Sequence, residues 1–278
     1  MSSRTELLKR QQSWAARLGL GPDAHGYLGE VALNLFKPFS EHAKSDFDKG
    51  SGAELVDTPS RLAKMKALHS SSALVVNFFD SWVDRDARRL QTALGLSEKI
   101  GSISFEAQYP TGLTGTPPNL DVALALSNGH VVGIESKFSE WLTPKSTAKA
   151  PFKDKYFPDG VGLWQSRGLA ESQRLAREMY DGAKRFRHLN VPQLLKHALG
   201  LATKLGGDFS LYYIYFDWAG PESQVHRTEI DEFVKLVGEE LRFKAFTYQE
   251  LFASLTSASD VDQDYLSYLR TRYFSDVV

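Results

Sequence analysis

The sequence predicts an α/β protein in which helices flank a central sheet. Up to Gly95, apolar residues recur at near-helical spacing, whereas from about residue 102 short alternating or β-branched runs are separated by turn residues. The chain has 278 residues, of which 42% are hydrophobic and 24% charged, a composition typical of a soluble globular protein with a sizeable core. We divide it into an N-terminal helical extension with a flexible loop over 1–66 and a main domain over 67–278 that ends in a C-terminal helical cap.

The N-terminal third is predicted to be helical with one long loop. Helical spacing of apolar residues predicts helices near 6–18 and 27–36. The segment 40–60 is rich in Ser, Gly, Asp and Lys, which predicts a loop. Three consecutive serines then supply a helix cap, and two further helices are predicted near 71–82 and 85–94.

The predicted sheet begins with a hairpin. Asn128-Gly129 predicts a tight turn between two strands, which makes them antiparallel neighbours. The predicted strands are 103–108, 119–126, 131–138, 211–216 and 243–247. The predicted helices between and after them are 165–187, 191–204, 228–241 and a C-terminal pair.

Several classes of protein are excluded by what the sequence lacks. Without cysteine there is no disulfide framework, no thiolate metal site and no cysteine nucleophile. The longest strictly apolar run is Leu211 to Phe216, far short of the roughly 20 residues of a membrane helix, and the N-terminus is polar. We therefore expect a cytoplasmic protein without a membrane partner. The sequence also has no HExxH, P-loop, dinucleotide-binding or nucleophile-elbow motif.

Positive charge is concentrated in one segment, although the formal net charge is only -1. Between residues 144 and 204 there are twelve Lys or Arg residues and five Asp or Glu residues. Such a segment suits a polyanion such as DNA, but a solvated basic surface has the same composition. The DNA-binding candidates are Lys145, Lys149, Lys153, Lys155, Arg185 and Arg187.

Three charged residues of the predicted hairpin carry the chemistry. Side chains alternate between the faces of a strand, so Glu135 and Lys137 share one face, and the hairpin brings Asp121 near them. We expect this pair to face water, so that replacing either residue would abolish activity without affecting folding. An exposed cross-strand charge pair would show the same pattern without any catalytic role.

Two neighbouring carboxylates favour a bound cation. Each resists ionising beside the other, and a divalent metal relieves the repulsion. Mg²⁺ is held by oxygen ligands and is usually bound by only one or two carboxylates. With Lys137 to orient a water molecule or stabilise negative charge, the chemistry predicted is hydrolysis of a phosphodiester.

At these residues the sequence resembles the PD-(D/E)XK nuclease superfamily, which has the restriction-endonuclease-like fold. Asn119-Leu120-Asp121 and Glu135-Ser136-Lys137 correspond to its two half motifs, with leucine in place of the usual proline. The resemblance covers about 70–217 and extends to a bacterial restriction-endonuclease group of the Porphyromonas type. The further matches to that group are Ser70 to Leu74, Asn77, Phe79, Phe138 and Glu140.

The resemblance implies a mixed central sheet of four to five strands, DNA as substrate and Mg²⁺ as cofactor, with Mn²⁺ as a substitute. It implies that Asp121 and Glu135 are metal ligands together with the Ser136 carbonyl, and that Lys137 is the catalytic lysine. Gln193 resembles a helical glutamine found near the metal in such nucleases. The other supporting candidates are Glu30, Glu106 and Glu140.

The sequence thus predicts a Mg²⁺-dependent DNA endonuclease, with restriction of foreign DNA as its setting. Cutting both strands of a two-fold symmetric site predicts a homodimer, and a restriction enzyme implies a partner methyltransferase. Three alternatives stay open at this point. They are a repair or recombination nuclease for branched DNA or ends, a silent DNA- or protein-binding module on the same fold, and an interaction protein whose basic segment binds RNA or another anion.

Overall fold

The central sheet has five strands in chain order, as the prediction of a mixed α/β sheet requires. The computed structural model describes residues 2–50, 53–146 and 150–274. Strands β1 to β3 are antiparallel, and β3, β4 and β5 are parallel. The strands are β1 (Ile100–Gln108), β2 (Asn119–Leu126), β3 (Val131–Lys137), β4 (Phe209–Tyr215) and β5 (Lys244–Thr247).

Helices cover both faces of the sheet. They are α1 (Ser3–Arg17), α2 (Glu41–Lys49), α3 (Ser71–Phe79), α4 (Arg88–Ala93), α5 (Ala170–Tyr180), α6 (Val191–Leu205), α7 (Pro221–Val237), α8 (Tyr248–Thr256) and α9 (Gln263–Leu269). Every residue of β3 and β4 is buried, as expected for strands between two helical layers. Ser136 bonds Tyr248 of α8 on one face, while Glu135 contacts His197 of α6 on the other.

Two predictions for the N-terminal third are wrong. The segment 27–36 forms only a 3₁₀ turn at Val31–Asn34, because the buried Asn34 amide donates to the carbonyls of Met65 and Ala67 instead of joining a helix. The predicted loop 40–60 contains α2, whose first turn is capped by the Ser40 hydroxyl.

Local turn chemistry also shifted two helix boundaries. The predicted helix 165–187 is regular only over α5, since Gly168 and Gly182 lie in the left-handed region at φ 79° on either side of it. Helix α7 begins seven residues before the predicted start at Thr228, because Pro221 stands in its first turn, where a missing N–H costs nothing.

The N-terminal segment shares its core with the sheet. Leu7, Leu35, Ala43 and Phe47 belong to the same hydrophobic cluster as the residues of β1 to β4. The division at residue 66 stays a prediction, but residues of this segment are in place to contribute to a site on the sheet. Within the described ranges, no helix has both the length and the apolar character needed to cross a bilayer.

Candidate active site

The three charged residues of the hairpin meet where β2 and β3 separate. The paired part of these strands ends at Val122 and Ile134. Just beyond, the backbone N–H of Ser136 donates to Asp121 Oδ2 at 2.6 Å, so a side chain takes the place of a strand acceptor. The predicted proximity of Asp121 to the Glu135-Ser136-Lys137 segment is therefore present in the structure.

Glu135 has a basic side chain beside each carboxylate oxygen. Lys137 Nζ donates to Oε1, and His197 Nε2 lies 2.9 Å from Oε2. Glu135 is only 1% exposed and Lys137 9%. The prediction that this pair faces water is wrong, because α6 covers the face of β3 from which both side chains extend.

A glycine lets α6 approach β3 closely. A Cβ on Gly133 would lie 2.9 Å from Leu201 Cδ1 of α6 and 2.8 Å from Leu120 Cδ2 of β2, so a larger residue here would displace both leucine side chains. Four residues of helix rise about 6 Å and two residues of strand about 6.6 Å. Moving four residues back along α6 and two residues forward along β3 from the Gly133–Leu201 contact therefore places His197 beside Glu135. A second step of the same size places Gln193 at the level of Lys137.

The buried pair is ionised. Burial alone would raise the pKa of Glu135, but Lys137 and His197 outweigh it and lower the pKa to about 2. Burial likewise disfavours the charged form of Lys137, yet the carboxylates of Glu135, Asp121 and Glu140 raise its pKa above the ordinary value. Glu135 is thus a carboxylate, and Lys137 an ammonium, at neutral pH.

Two further carboxyl groups, on the adjacent strands β2 and β1, have raised pKa values and therefore resist ionisation. Burial, followed by the charge of Glu135, raises the pKa of Asp121 well above its ordinary value. On β1, Glu106 lies across from Asp121, and burial together with the charge of Glu54 raises the pKa of Glu106 to about 7. Glu106 also has a left-handed backbone at φ 48°, which is uncommon inside a strand for any residue but glycine.

A cleft of about 660 Å³ opens beside these carboxyls. Of the supporting candidates, Glu106, Glu140 and Gln193 line it together with Asp121. Glu140 accepts from the backbone N–H of Phe138, and Asn190 donates to the Gln193 side chain. Glu30 is exposed at a 3₁₀ turn, and the described residues that line the cleft do not include it.

Two residues at the site were missed by sequence reasoning. Glu54 lines the cleft and accepts from Lys64 Nζ and the Ser72 hydroxyl. It lies in the segment predicted to be a loop, and no local pattern marks it. His197 carries a signal that was present in the sequence, since it stands four residues after Gln193 and so on the same side of a helix.

A comparison with protein families indicates the class of activity. The model of a family described as "Restriction Endonuclease associating with ARP" matches residues 9–274. The chain belongs to this restriction endonuclease family. No curated protein and no solved structure matches it. Membership of this family supports a nuclease activity, for which the cleft beside Asp121 is the candidate site.

The donor set of this restriction endonuclease family member fits a divalent cation. Within 2–50, 53–146 and 150–274, no three His, Asp or Glu side chains are already arranged as a metal cluster. Glu135 Oε2 is buried without a geometrically acceptable hydrogen bond. The neighbouring Asp121 and Glu106 carboxyl groups have raised pKa values, so their ionisation is disfavoured. Since Mg²⁺ needs only one or two carboxylates, the residues present suffice.

Of the DNA-binding candidates that the structure describes, none lines the cleft. Lys153 and Lys155 are exposed, and their charges, after burial, help to lower the pKa of Lys196 on α6. Lys145 is half-buried, and burial and the charge of Lys137 lower its pKa. Arg185 and Arg187 are exposed, and Lys149 lies outside the described residues.

Proposed function

We propose that this restriction endonuclease family member is a metal-dependent DNA endonuclease of the PD-(D/E)XK type, acting against foreign DNA. One observation carries the proposal. Asp121 of β2 meets Glu135 and Lys137 of β3 at the point where the strands separate, beside an acidic cleft. A surface charge pair would need neither the burial of Glu135 nor the second carboxyl.

The metal would be held by Asp121, Glu135 and the backbone carbonyl of Ser136. The N–H and C=O of one strand residue face the same neighbouring strand. The Ser136 N–H bonds Asp121 on the β2 side, whereas the Lys137 carbonyl accepts from Phe216 on the β4 side. The Ser136 carbonyl is therefore on the side of Asp121, and Mg²⁺ bound there would supply Lewis-acid polarisation of the scissile phosphate.

Lys137 supplies a fixed positive charge at the site. Its raised pKa keeps it protonated at neutral pH, so it acts as a hydrogen-bond donor and not as a base. In this role it orients the attacking water or stabilises the negative charge that develops on the phosphate. Burial raises the pKa of Glu106 to about 7, so Glu106 is a group beside the cleft that is able to take up a proton near neutral pH.

A cleavage assay tests this function directly. Unmethylated plasmid and phage DNA, incubated with Mg²⁺, with Mn²⁺ and with chelator, should give discrete fragments only when a metal is present. Blunt, nicked and junction substrates run in parallel separate restriction from repair or recombination. Metal-independent binding without cutting on every substrate would contradict the proposal and favour a binding module.

Lys155 and Lys196 are proposed to contact the DNA backbone. They extend from different elements, and their ammonium groups lie 5.7 and 5.3 Å from the centre of the same ring, that of Tyr156. Lys155 also donates to the carbonyl of Thr114 at 2.5 Å, in the loop whose next residues line the cleft. A phosphate beside this pair would neutralise two like charges and lie on a path toward the site.

When this protein binds DNA, each of these lysines should neutralise one phosphate and thereby release one counterion from the DNA. We expect Lys155→Ala and Lys196→Ala each to reduce the slope of log Kd against log salt concentration by about 1. The measurement is fluorescence anisotropy of duplex DNA over a salt series, without divalent metal. Lys184→Ala is the matched control, because its ammonium is already paired with Glu232. An equal change of slope in the control would contradict the assignment.

The assembly is part of the proposal. We infer a homodimer for cutting both strands of a duplex, and a partner methyltransferase for protecting the host DNA. The family description names an association with ARP, and we propose that this chain also acts beside such a partner.

A further inference from the structure

His197 contacts the Glu135 carboxylate from α6, outside the hairpin. It lies on α6, its side chain is 2% exposed, and its Nε2 is 2.9 Å from Glu135 Oε2. The other carboxylate oxygen, Oε1, is bound by Lys137. Each oxygen of this buried carboxylate therefore has a different neighbour, one from its own strand and one from a helix.

Two contacts define the plane of a carboxylate where one does not. The last torsion of a glutamate side chain has broad, roughly two-fold preferences, so a single partner leaves the group free to turn. With the Lys137 hydrogen bond at one oxygen and the His197 ring nitrogen 2.9 Å from the other, the Glu135 carboxylate is more restricted in orientation than Lys137 alone would make it. The residue behind a metal-binding group commonly fixes that group in this way, and its loss typically costs 10- to 100-fold in metal affinity or activity.

Packing of α6 alone does not require a histidine here. The neighbouring turn of the same helix presents Leu201 to Gly133 of the same strand, so apolar packing already holds the helix against the strand. A buried polar side chain costs free energy unless it is paired, and apolar residues of similar volume are often neutral or stabilising in such places. A role at Glu135 accounts for the histidine.

We propose that His197 is a positioning residue that sets the orientation of the Glu135 carboxylate toward the metal. It acts through Glu135 and does not touch the DNA. This inference rests on the proposed function, since it gives His197 a role at the same site. It also explains why α6 carries Gln193 and His197 one turn apart, the first lining the cleft and the second behind Glu135.

Two polar replacements of different length test the role. The amide nitrogen of glutamine extends about as far as His Nε2, whereas that of asparagine ends near the position of Nδ1. We expect His197→Gln to bind Mn²⁺ within about 3-fold of the wild-type Kd and His197→Asn to weaken binding about 10- to 100-fold. Mn²⁺ binding to the full chain is measured by electron paramagnetic resonance without DNA, and cleavage is measured in parallel.

Leu201→Ala is the matched structural control. It removes packing from the same helix against the same strand, so it should lower the midpoint of urea denaturation and leave the Mn²⁺ affinity unchanged. Equal Mn²⁺ affinities for the Asn and Gln variants, or an equal loss in Leu201→Ala, would overturn the positioning role.

The test also separates this inference from the function on which it rests. If the wild type neither binds Mn²⁺ nor cuts DNA, the proposed function fails and the role of His197 fails with it. If the wild type binds and cuts, Glu135→Gln does neither, and both His197 variants behave as the wild type, only the inference about His197 is wrong.

Discussion

Replacing Lys137 by methionine is expected to lower the rate of DNA cleavage by about 10²- to 10³-fold, the usual effect of removing one fixed donor from a developing negative charge. Methionine keeps the apolar stem of lysine and removes its ammonium group. Cleavage of plasmid DNA under saturating Mg²⁺ measures the effect, and DNA binding at low salt should change little because Lys137 is 9% exposed behind the cleft.

The same variant is expected to lose stability, because the structure buries the pair. Removing one partner of a buried ion pair leaves an uncompensated charge and typically costs about 3 to 5 kcal/mol. Glu135 would be left with only His197 beside it. Urea denaturation should therefore show a lower midpoint for Lys137→Met than for the wild type.

A double variant separates the loss of stability from the loss of catalysis. In Lys137→Met with Glu135→Gln no charge is left unpaired, so we expect most of the lost stability to return. Cleavage should not return, since both the lysine and a proposed metal ligand are gone. A stable double variant that cuts DNA would show that the pair is structural and would remove it from the active site.

Asp121→Asn is expected to abolish cleavage and to stabilise the protein. Asparagine keeps an acceptor for the Ser136 N–H, so the hydrogen bond at 2.6 Å remains available. It removes a carboxyl whose ionisation is opposed by burial and by the charges of Glu135 and Glu106. We expect the rate to fall at least about 10²-fold and Tm to rise by about 2 to 4 °C, which corresponds to about 1 kcal/mol.

The gain in stability should depend on pH in a definite direction. The folded pKa of Asp121 is raised above the ordinary value of 3.8. The protonated carboxyl is therefore compatible with the fold, and stability is lost as the pH rises from the ordinary value toward the raised one. The difference in Tm between Asp121→Asn and the wild type should thus be larger at pH 8 than at pH 4.

The effect of added metal on Tm tests whether Asp121 is a metal ligand. Mn²⁺ should raise the Tm of the wild type by binding the folded state and should raise that of Asp121→Asn far less. Asp86→Asn is the control, because Asp86 is exposed and the hydrogen bond from Arg88 lowers its pKa. Equal stabilisation of the wild type and Asp121→Asn by Mn²⁺ would contradict the assignment of Asp121 as a ligand.

The residue pattern by itself predicted the central sheet and the meeting of its three charged residues. The alternation along β2 and β3 and the turn at Asn128-Gly129 are local features, and together they place Asp121 beside the segment of Glu135 and Lys137. The family match over residues 9–274 agrees with the restriction-type nuclease that this motif implied. A strand has a period of two and a hairpin has one short turn, so few arrangements are open to such a segment.

Only the tertiary structure decided how these residues are surrounded. The burial of Glu135 and Lys137, the contact of His197 and the arrival of Glu54 at the cleft all depend on elements distant along the chain. Charged residues on a strand have the same pattern whether water or a helix covers them, and the covering helix is set by packing, here by Gly133 against Leu201. The sequence therefore determines that Asp121, Glu135 and Lys137 come together, and packing determines which further groups join them and which of them are buried and paired.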